Sequence, residues 1–337
     1  MFAHQILWAA GQTWPPFVLV AGLLLVGAVA AADALFEAVG ARLACSPLGP
    51  RALLLALLTL VAVVTAVLNL DTAVVFLTPV LVHSARLRRL DERPFLYGSV
   101  FMANSGSLLL PGSNLTNLLV LRANAASGAN FAAHMLGPWI AVCGLTATFI
   151  ALVFPLRSGN RTAAERPQLQ FGIGASGIVA ATAAMLALPN PALPVFGIGL
   201  ATTAVRRLRP RLDVRPFVVL FGFATALGAC ARVWLHPAQA LAAHGASATA
   251  AIGAVSSVVL NNLPAAVLFS AEPPLHPHAL LLGLDLGPNL AVTGSLSGLL
   301  WLKAARGVGA AASISTYSRL GAFLVPLTLV AALAAST

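Results

Sequence analysis

One short polar pattern occurs twice in this chain, each time inside otherwise apolar sequence. Asn114-Leu115-Thr116-Asn117-Leu118-Leu119-Val120-Leu121-Arg122 recurs as Ser295-Leu296-Ser297-Gly298-Leu299-Leu300-Trp301-Leu302-Lys303. Upstream of each copy lies a second matching pair, Val67-Leu68-Asn69-Leu70-Asp71-Thr72 against Val259-Leu260-Asn261-Asn262-Leu263-Pro264. Two halves with corresponding broken hydrophobic segments are the pattern of a membrane protein that builds a solute site where its repeats meet.

Composition agrees. The chain is 59% hydrophobic and 8% charged, where a soluble domain carries roughly 25% charged residues. The net charge of +10 does not form a phosphate-binding face, because the arginines sit in short gaps between apolar runs. That placement is the positive-inside signature of a multi-pass membrane protein. No removable signal sequence is expected at the start, and no nucleic acid among the partners.

A bilayer core needs about 20 apolar residues per helix. Spans fit 14–33, 95–121, 134–156, 171–188, 192–205, 216–231, 280–302 and 320–335. Residues 51–85 and 247–270 are expected instead to form re-entrant hairpins, with tips at Asn69-Leu70-Asp71-Thr72 and Asn261-Asn262-Leu263-Pro264. Length decides this for 51–85, which is too long for one crossing and too short for two with a turn. Residues 34–46 and 236–245 read as interfacial helices.

If the first hairpin enters from the cytoplasm and the second from outside, 17 of the 19 Lys and Arg residues face inward. Arg122 and Arg232 alone face outward. The expected fold class is therefore an all-α integral membrane protein with inverted repeats, two re-entrant hairpins and two broken transmembrane helices. The first repeat is 1–156, a cytoplasmic linker follows at 157–170, and the second repeat is 171–337. The first half lacks counterparts of the first two helices of the second. Both termini are predicted outside, with the chain in the plasma (inner) membrane.

Irregular backbone at membrane depth must be buried in protein or line a watery cavity. Four breaks are expected, at 69–72, 104–113, 261–264 and 287–295. The candidate substrate- and ion-binding residues are Asn69, Asp71, Thr72, Asn104, Ser105, Ser107, Ser113, Asn114, Asn117, Ser256, Asn261, Asn262, Asn289, Thr293 and Ser295. Their carbonyl and hydroxyl oxygens suit cations, and half-helix N-termini suit oxyanions or polar solutes. A carboxylate at membrane depth is costly unless paired or hydrated, so Asp71 and Asp285 are the proton-coupling candidates. Asp71 reads either as a proton carrier or cation ligand, or as a cap of the helix that follows it.

No enzyme constellation is present. Gly172-Ile173-Gly174-Ala175-Ser176-Gly177 matches a dinucleotide-binding pattern but opens an apolar span with no strand before it, so it reads as small-residue helix packing. Cys45, Cys143 and Cys230 have no CxxC spacing, and the histidines lie near loop ends without ligand spacing. Neither a metal nor a cofactor is expected.

The segment from Leu68-Asn69-Leu70-Asp71-Thr72 through Ala103-Asn104-Ser105-Gly106-Ser107 to Pro111-Gly112-Ser113-Asn114-Leu115-Thr116-Asn117 resembles the arsenite efflux permease family. Ser256-Ser257-Val258-Val259-Leu260-Asn261-Asn262-Leu263-Pro264 and Leu286-Gly287-Pro288-Asn289 to Ser295-Leu296 resemble it in the second half. That family belongs to the ion transporter superfamily, with the citrate and divalent-anion carriers. The resemblance implies a two-repeat elevator-like carrier that expels arsenite or antimonite as neutral hydroxides in exchange for protons. It implies that Asp71 is the family's acidic hairpin residue and that Asn117, Asn262 and Ser295 stand at its polar motif positions. The tip here reads Leu70-Asp71-Thr72, where the arsenite pumps carry Asn-Asp-Gly.

Two other functions fit the same residues. One is a proton- or sodium-coupled carrier of an organic or inorganic anion, citrate- or dicarboxylate-like. The other is a non-transporting membrane assembly subunit. The expected partners are lipid, a small inorganic or anionic substrate, a coupling proton or sodium, and a second copy of the chain.

Overall fold

The computed structural model describes residues 2–121, 128–156, 171–209 and 215–336. The described residues are helical, with no strand among them. The linker at 157–170 and Arg122 lie outside them.

The helices are α1 (Phe2–Ala32), α2 (Leu35–Ala44), α3 (Pro50–Val67), α4 (Leu70–Leu87), α5 (Arg93–Gly106), α6 (Leu115–Leu121), α7 (Gly128–Val153), α8 (Ile173–Ala187) and α9 (Ala192–Val205). They continue with α10 (Arg215–Val233), α11 (His236–Ala242), α12 (Ala246–Leu260), α13 (Asn262–Phe269), α14 (Pro277–Leu286), α15 (Leu296–Gly307) and α16 (Ile314–Ala335). One order occurs twice: helix, short helix, helical hairpin, interrupted helix, long helix. It runs from α1 to α7 and again from α10 to α16. Helices α8 and α9 stand between the two runs without counterparts in the first.

Local chemistry sets the boundaries. Proline stands in the first turn of α3, α5, α11 and α14, where its missing N–H costs nothing. Helix α5 continues through Asn104, so the first interruption spans 107–114 rather than the expected 104–113. The second holds two short 3-10 turns, Gly287–Leu290 and Val292–Gly294.

The hairpins differ in reach. Arms α3 and α4 have 18 residues each, about 27 Å at 1.5 Å per residue. The length argument against two crossings at 51–85 therefore does not hold, because only two residues, Leu68 and Asn69, make the turn. Helix α13 has eight residues, about 12 Å, well short of a core about 30 Å thick. Both mouths of the first hairpin meet at Arg88. Its buried guanidinium donates to the carbonyls of Ala44 (2.8 Å), Ser46 (3.1 Å) and Leu48 (2.8 Å).

Two ends of the molecule can be told apart. At one, Arg206 pairs with Asp33 at 2.6 Å, Arg86 binds Glu92 and the Val308 carbonyl, and Tyr97 stacks on Phe154. At the other, Gly128 abuts Met185, Gly137 abuts Ala335, and His134 stacks on His278 at 5.5 Å. The arginines with described ion pairs, Arg86, Arg93 and Arg206, all lie at the first end.

Helix α1 packs on α8 and α9 through small residues, as membrane helices do. Gly22 lies against the Val195–Phe196 backbone, Gly199 against Gly22, and Gly174 against Ala30. The glycines of the dinucleotide-like pattern thus serve helix packing.

Candidate functional site at the crossing of the interrupted helices

Each of the four breaks ends at a residue in extended conformation or at positive φ, whose side chain accepts an N–H of the next helix. Asn69 accepts from Thr72 N at 2.7 Å and Asn114 from Thr116 N at 3.2 Å. Asn261 accepts from Leu263 N at 3.2 Å and Ser295 from Gly298 N at 3.3 Å. These are N-caps, and they start α4, α6, α13 and α15. The cap of α4 is Asn69, so Asp71 does not hold that role; it stands half-buried in the first turn.

The two interruptions cross each other. Asp285, 1% exposed, accepts from Asn114 Nδ2 at 2.8 Å and from the Thr116 hydroxyl at 2.7 Å, both on its Oδ1. Ser107 lies beside the same carboxylate. Asn104 donates from Nδ2 to Asn289 Oδ1 at 2.6 Å and accepts from the Ser297 hydroxyl at 3.4 Å. Ser295 and Ser297 share a hydrogen bond of 2.6 Å.

The carbonyls freed by the breaks find donors, as they must away from water. Asn117 Nδ2 serves Ser107 O at 2.9 Å and Leu110 O at 3.3 Å, and the Ser113 hydroxyl bonds the same two carbonyls. Trp139 on α7 donates to Gly106 O at 3.2 Å, and Tyr317 on α16 to Pro288 O at 2.9 Å.

The pairs are related by constant sequence offsets. Asn104 and Asp285, Asn114 and Ser295, and Thr116 and Ser297 all stand 181 residues apart. Within each run the hairpin packs on its own interrupted helix in the same way. Gly106 of α5 lies against Ala62 and Thr65 of α3, and Gly287 lies against Ala254 and Ser257 of α12. Gly106 and Gly287 are again 181 apart, while Ala62 and Ala254, Thr65 and Ser257, and Asn69 and Asn261 are 192 apart.

Several buried polar atoms keep no partner: Asn117 Oδ1, Asp285 Oδ2 and Asn289 Nδ2 at the crossing, and Thr65 Oγ1, Asn69 Nδ2 and Thr72 Oγ1 at the first hairpin's apex. Unpaired buried groups are costly, and strain, a chemical role, a water or an ion accounts for them. That apex packs against Gly27 of α1 through Thr72.

The structure thus joins Asn104, Ser107, Ser113, Asn114, Asn117, Asp285, Asn289 and Ser295 in one hydrogen-bonded region. Asn261 is tied to it through Thr293 O at 3.0 Å; the Thr293 side chain itself is exposed and Asn262 is buried at the start of α13. Asn69 and Thr72 form the separate apex group. Ser105 turns away to Thr146 of α7 at 2.9 Å. Ser256 is half-buried, and it is its neighbour Ser257 that faces Gly287. Sequence reading did not single out Thr65, Thr116, Ser257, Ser297 or Tyr317, although the repeat alignment placed Thr116 opposite Ser297 and so carried the signal for that pair.

A cavity of about 810 Å³ opens between α1, α6, α7 and the α8–α9 connection. Pro111 and Gly112 of the first interruption form part of its wall, with Trp14, Asn130, His134 and His278. Among the described residues no Lys, Arg, Asp or Glu lines it. Among the described residues no group of three or more His, Cys, Asp or Glu is arranged to hold a metal ion.

A family model described as "Citrate transporter" matches residues 2–334. The chain belongs to the citrate transporter family. Its fold is similar to the crystal structure of the Alcanivorax borkumensis YdaH transporter, reported as having an unusual topology. The TM-score is 0.59 at 14% identity, covering 98% of this chain and 86% of that one. This family member is a multi-pass membrane protein and a secondary transporter in a family of anion carriers, not an enzyme.

Proposed function

We propose that this family member exports arsenite or antimonite as small neutral hydroxides in exchange for protons across the plasma membrane. The single observation carrying the substrate reading is the charge pattern of the crossing. Asp285 is buried there among Asn and Ser/Thr side chains, and the ion pairs among the described residues, Arg86–Glu92, Arg93–Asp91 and Arg206–Asp33, do not include it. A polyanion entering beside an unneutralised carboxylate pays repulsion in a low dielectric, whereas an uncharged hydroxide finds hydrogen-bond partners. Asp71 and Asp285 are the groups proposed to carry protons.

The proposed frame is an inverted repeat of 1–156 and 171–337 about the crossing, with hairpins re-entering from opposite faces. The exchanged contacts at constant offset support it, as does the gathering of arginines at one end, which the positive-inside rule makes cytoplasmic. Both termini are then outside.

The test expresses the chain, Asp71→Asn and Asp285→Asn in arsenite-sensitive cells, with membrane insertion checked in parallel. Resistance from the native chain and its loss in a variant supports the proposal. Sensitivity unchanged by the inserted native chain removes it.

The family match favours a second reading, a proton- or sodium-coupled carrier of a citrate- or dicarboxylate-like anion. The N-termini of α4, α13 and α15 at the breaks supply partial positive charge for it. Uptake of citrate or succinate into proteoliposomes, with and without sodium, decides between the two.

A further inference from the structure

Asn104 and Asp285 hold the same place in the two runs of helices, each near the C-terminal end of the first half of an interrupted helix. Each faces the capping segment of the opposite run. Asp285 takes the donors Asn114 and Thr116; Asn104 meets Ser297, which is the counterpart of Thr116. Such an exchange, in which one half contacts the other as the other contacts it, is the mark of a two-fold relationship. One member is acidic and the other is its neutral isostere.

We infer that Asn104 and Asp285 form one proton site shared by both halves, in which Asp285 carries the proton and Asn104 is its positioning counterpart, so that the acid works from either position. This rests on the proposed proton coupling and deepens it by naming the site.

Three observations support the exchangeability. Asp285 Oδ2 is buried and has no partner, so it can take a proton while Oδ1 keeps both of its donors. Asn289 Nδ2 is likewise without a partner, while its Oδ1 takes the Asn104 amide. Rotating the Asn289 amide turns Nδ2 toward position 104 as the donor an aspartate there requires. Ser297 already points its hydroxyl at that position.

Few other groups intrude. On the elements packed against α14, the charged or titratable side chains are Arg93 and Tyr97 on α5 and Tyr317 and Arg319 on α16; α6, α12 and α13 carry none. Arg93 pairs with Asp91 and Arg319 binds Ser315, both at exposed positions. Tyr97 bonds Ser313. The Tyr317 hydroxyl donates to Pro288 O and lies beside Asn104; among the described residues of these elements it is the titratable neighbour at the crossing. His278 begins α14 itself and stacks on His134 at its far end.

The experiment is infrared difference spectroscopy between low and high pH on the purified full chain, which needs no substrate, beside arsenite-driven proton movement in vesicles. In the native protein the protonated-carboxyl band contains an Asp285 component, lost in Asp285→Asn. In the double variant Asn104→Asp/Asp285→Asn the component returns, and proton movement returns with it. A double variant that is folded, with native melting and elution, but lacks the component overturns the inference. Thr116→Val in the otherwise native chain covers a double variant that does not fold. Removing the Thr116 donor to Oδ1 frees the carboxyl C=O and moves the component to higher wavenumber, and an unmoved band overturns the inference. A protein that exchanges the band yet moves no arsenite keeps this inference and removes the substrate reading.

Discussion

Asn114 and Asp285 are separated by 171 residues and joined by a hydrogen bond of 2.8 Å at the point where two interrupted helices cross. The bond links the cap of α6 to the carboxylate near the end of α14. It makes each break depend on the other, since the same Asn114 side chain also caps its own helix through Thr116 N.

Asn114→Ala therefore removes a donor to a buried carboxylate and an N-cap together. The expected loss is about 1–2 kcal/mol of stability, given typical values for caps and buried hydrogen bonds. Unfolding of the detergent-solubilised protein measures it. A variant as stable as the native chain denies the bond its role.

The close helix approaches set a graded expectation. A methyl at Gly106 would lie 3.0 Å from Ala62 Cα and its carbonyl oxygen, whereas one at Gly287 would lie 2.6 Å from the same atoms of Ala254. Gly287→Ala should thus destabilise more than Gly106→Ala, by roughly 1–3 kcal/mol as overpacking does. Gly144→Ala, with nothing within 4 Å, should be neutral or slightly stabilising. Melting temperatures of the three variants in one detergent give the order.

Arg88 closes the mouth of the first hairpin through three backbone carbonyls. Arg88→Met leaves those carbonyls without their shared donor and should cost about 2 kcal/mol. Lysine should not rescue it, because a point ammonium cannot reproduce the planar fork. Labelling of Cys45, next to Ala44 in this mouth, should quicken in both variants; an unchanged rate argues that the mouth stays shut without the guanidinium.

Asp33 lies just past α1 and titrates below its ordinary value. Burial is the largest single influence and works against ionisation, but the Gly174 N–H and Arg206 together outweigh it. A depressed carboxylate contributes stability at pH above its ordinary value and loses it as pH falls through the folded value. Arg206→Gln should lower the melting temperature at neutral pH, and the gap from native should close in acid. The effect is small because the Arg206 side chain is 47% exposed. A gap that persists unchanged to the lowest accessible pH assigns the loss to packing.

Much of the site was written in the chain. The doubled motif announced the two interruptions, because Pro111, Gly112, Gly287 and Pro288 weaken a helix and the polar residues clustered beside them cannot face lipid. The order of helices followed from runs of apolar residues of the right length, down to the short helices at 35–44 and 236–242. The 18-residue arms of the first hairpin were not legible, since composition does not reveal how few residues a turn at Asn69 needs.

Periodicity and composition determined that this chain lies in a membrane, where it breaks, and which residues repeat. They could not say that Asp285 would meet Asn114 and Thr116 while Asn104 met Ser297, nor that Ser257 rather than Ser256 would face Gly287. Those pairings depend on how far each helix turns and on how closely glycine lets two backbones approach. Rotation and distance between separate segments of the chain are properties of packing, and only the folded chain sets them.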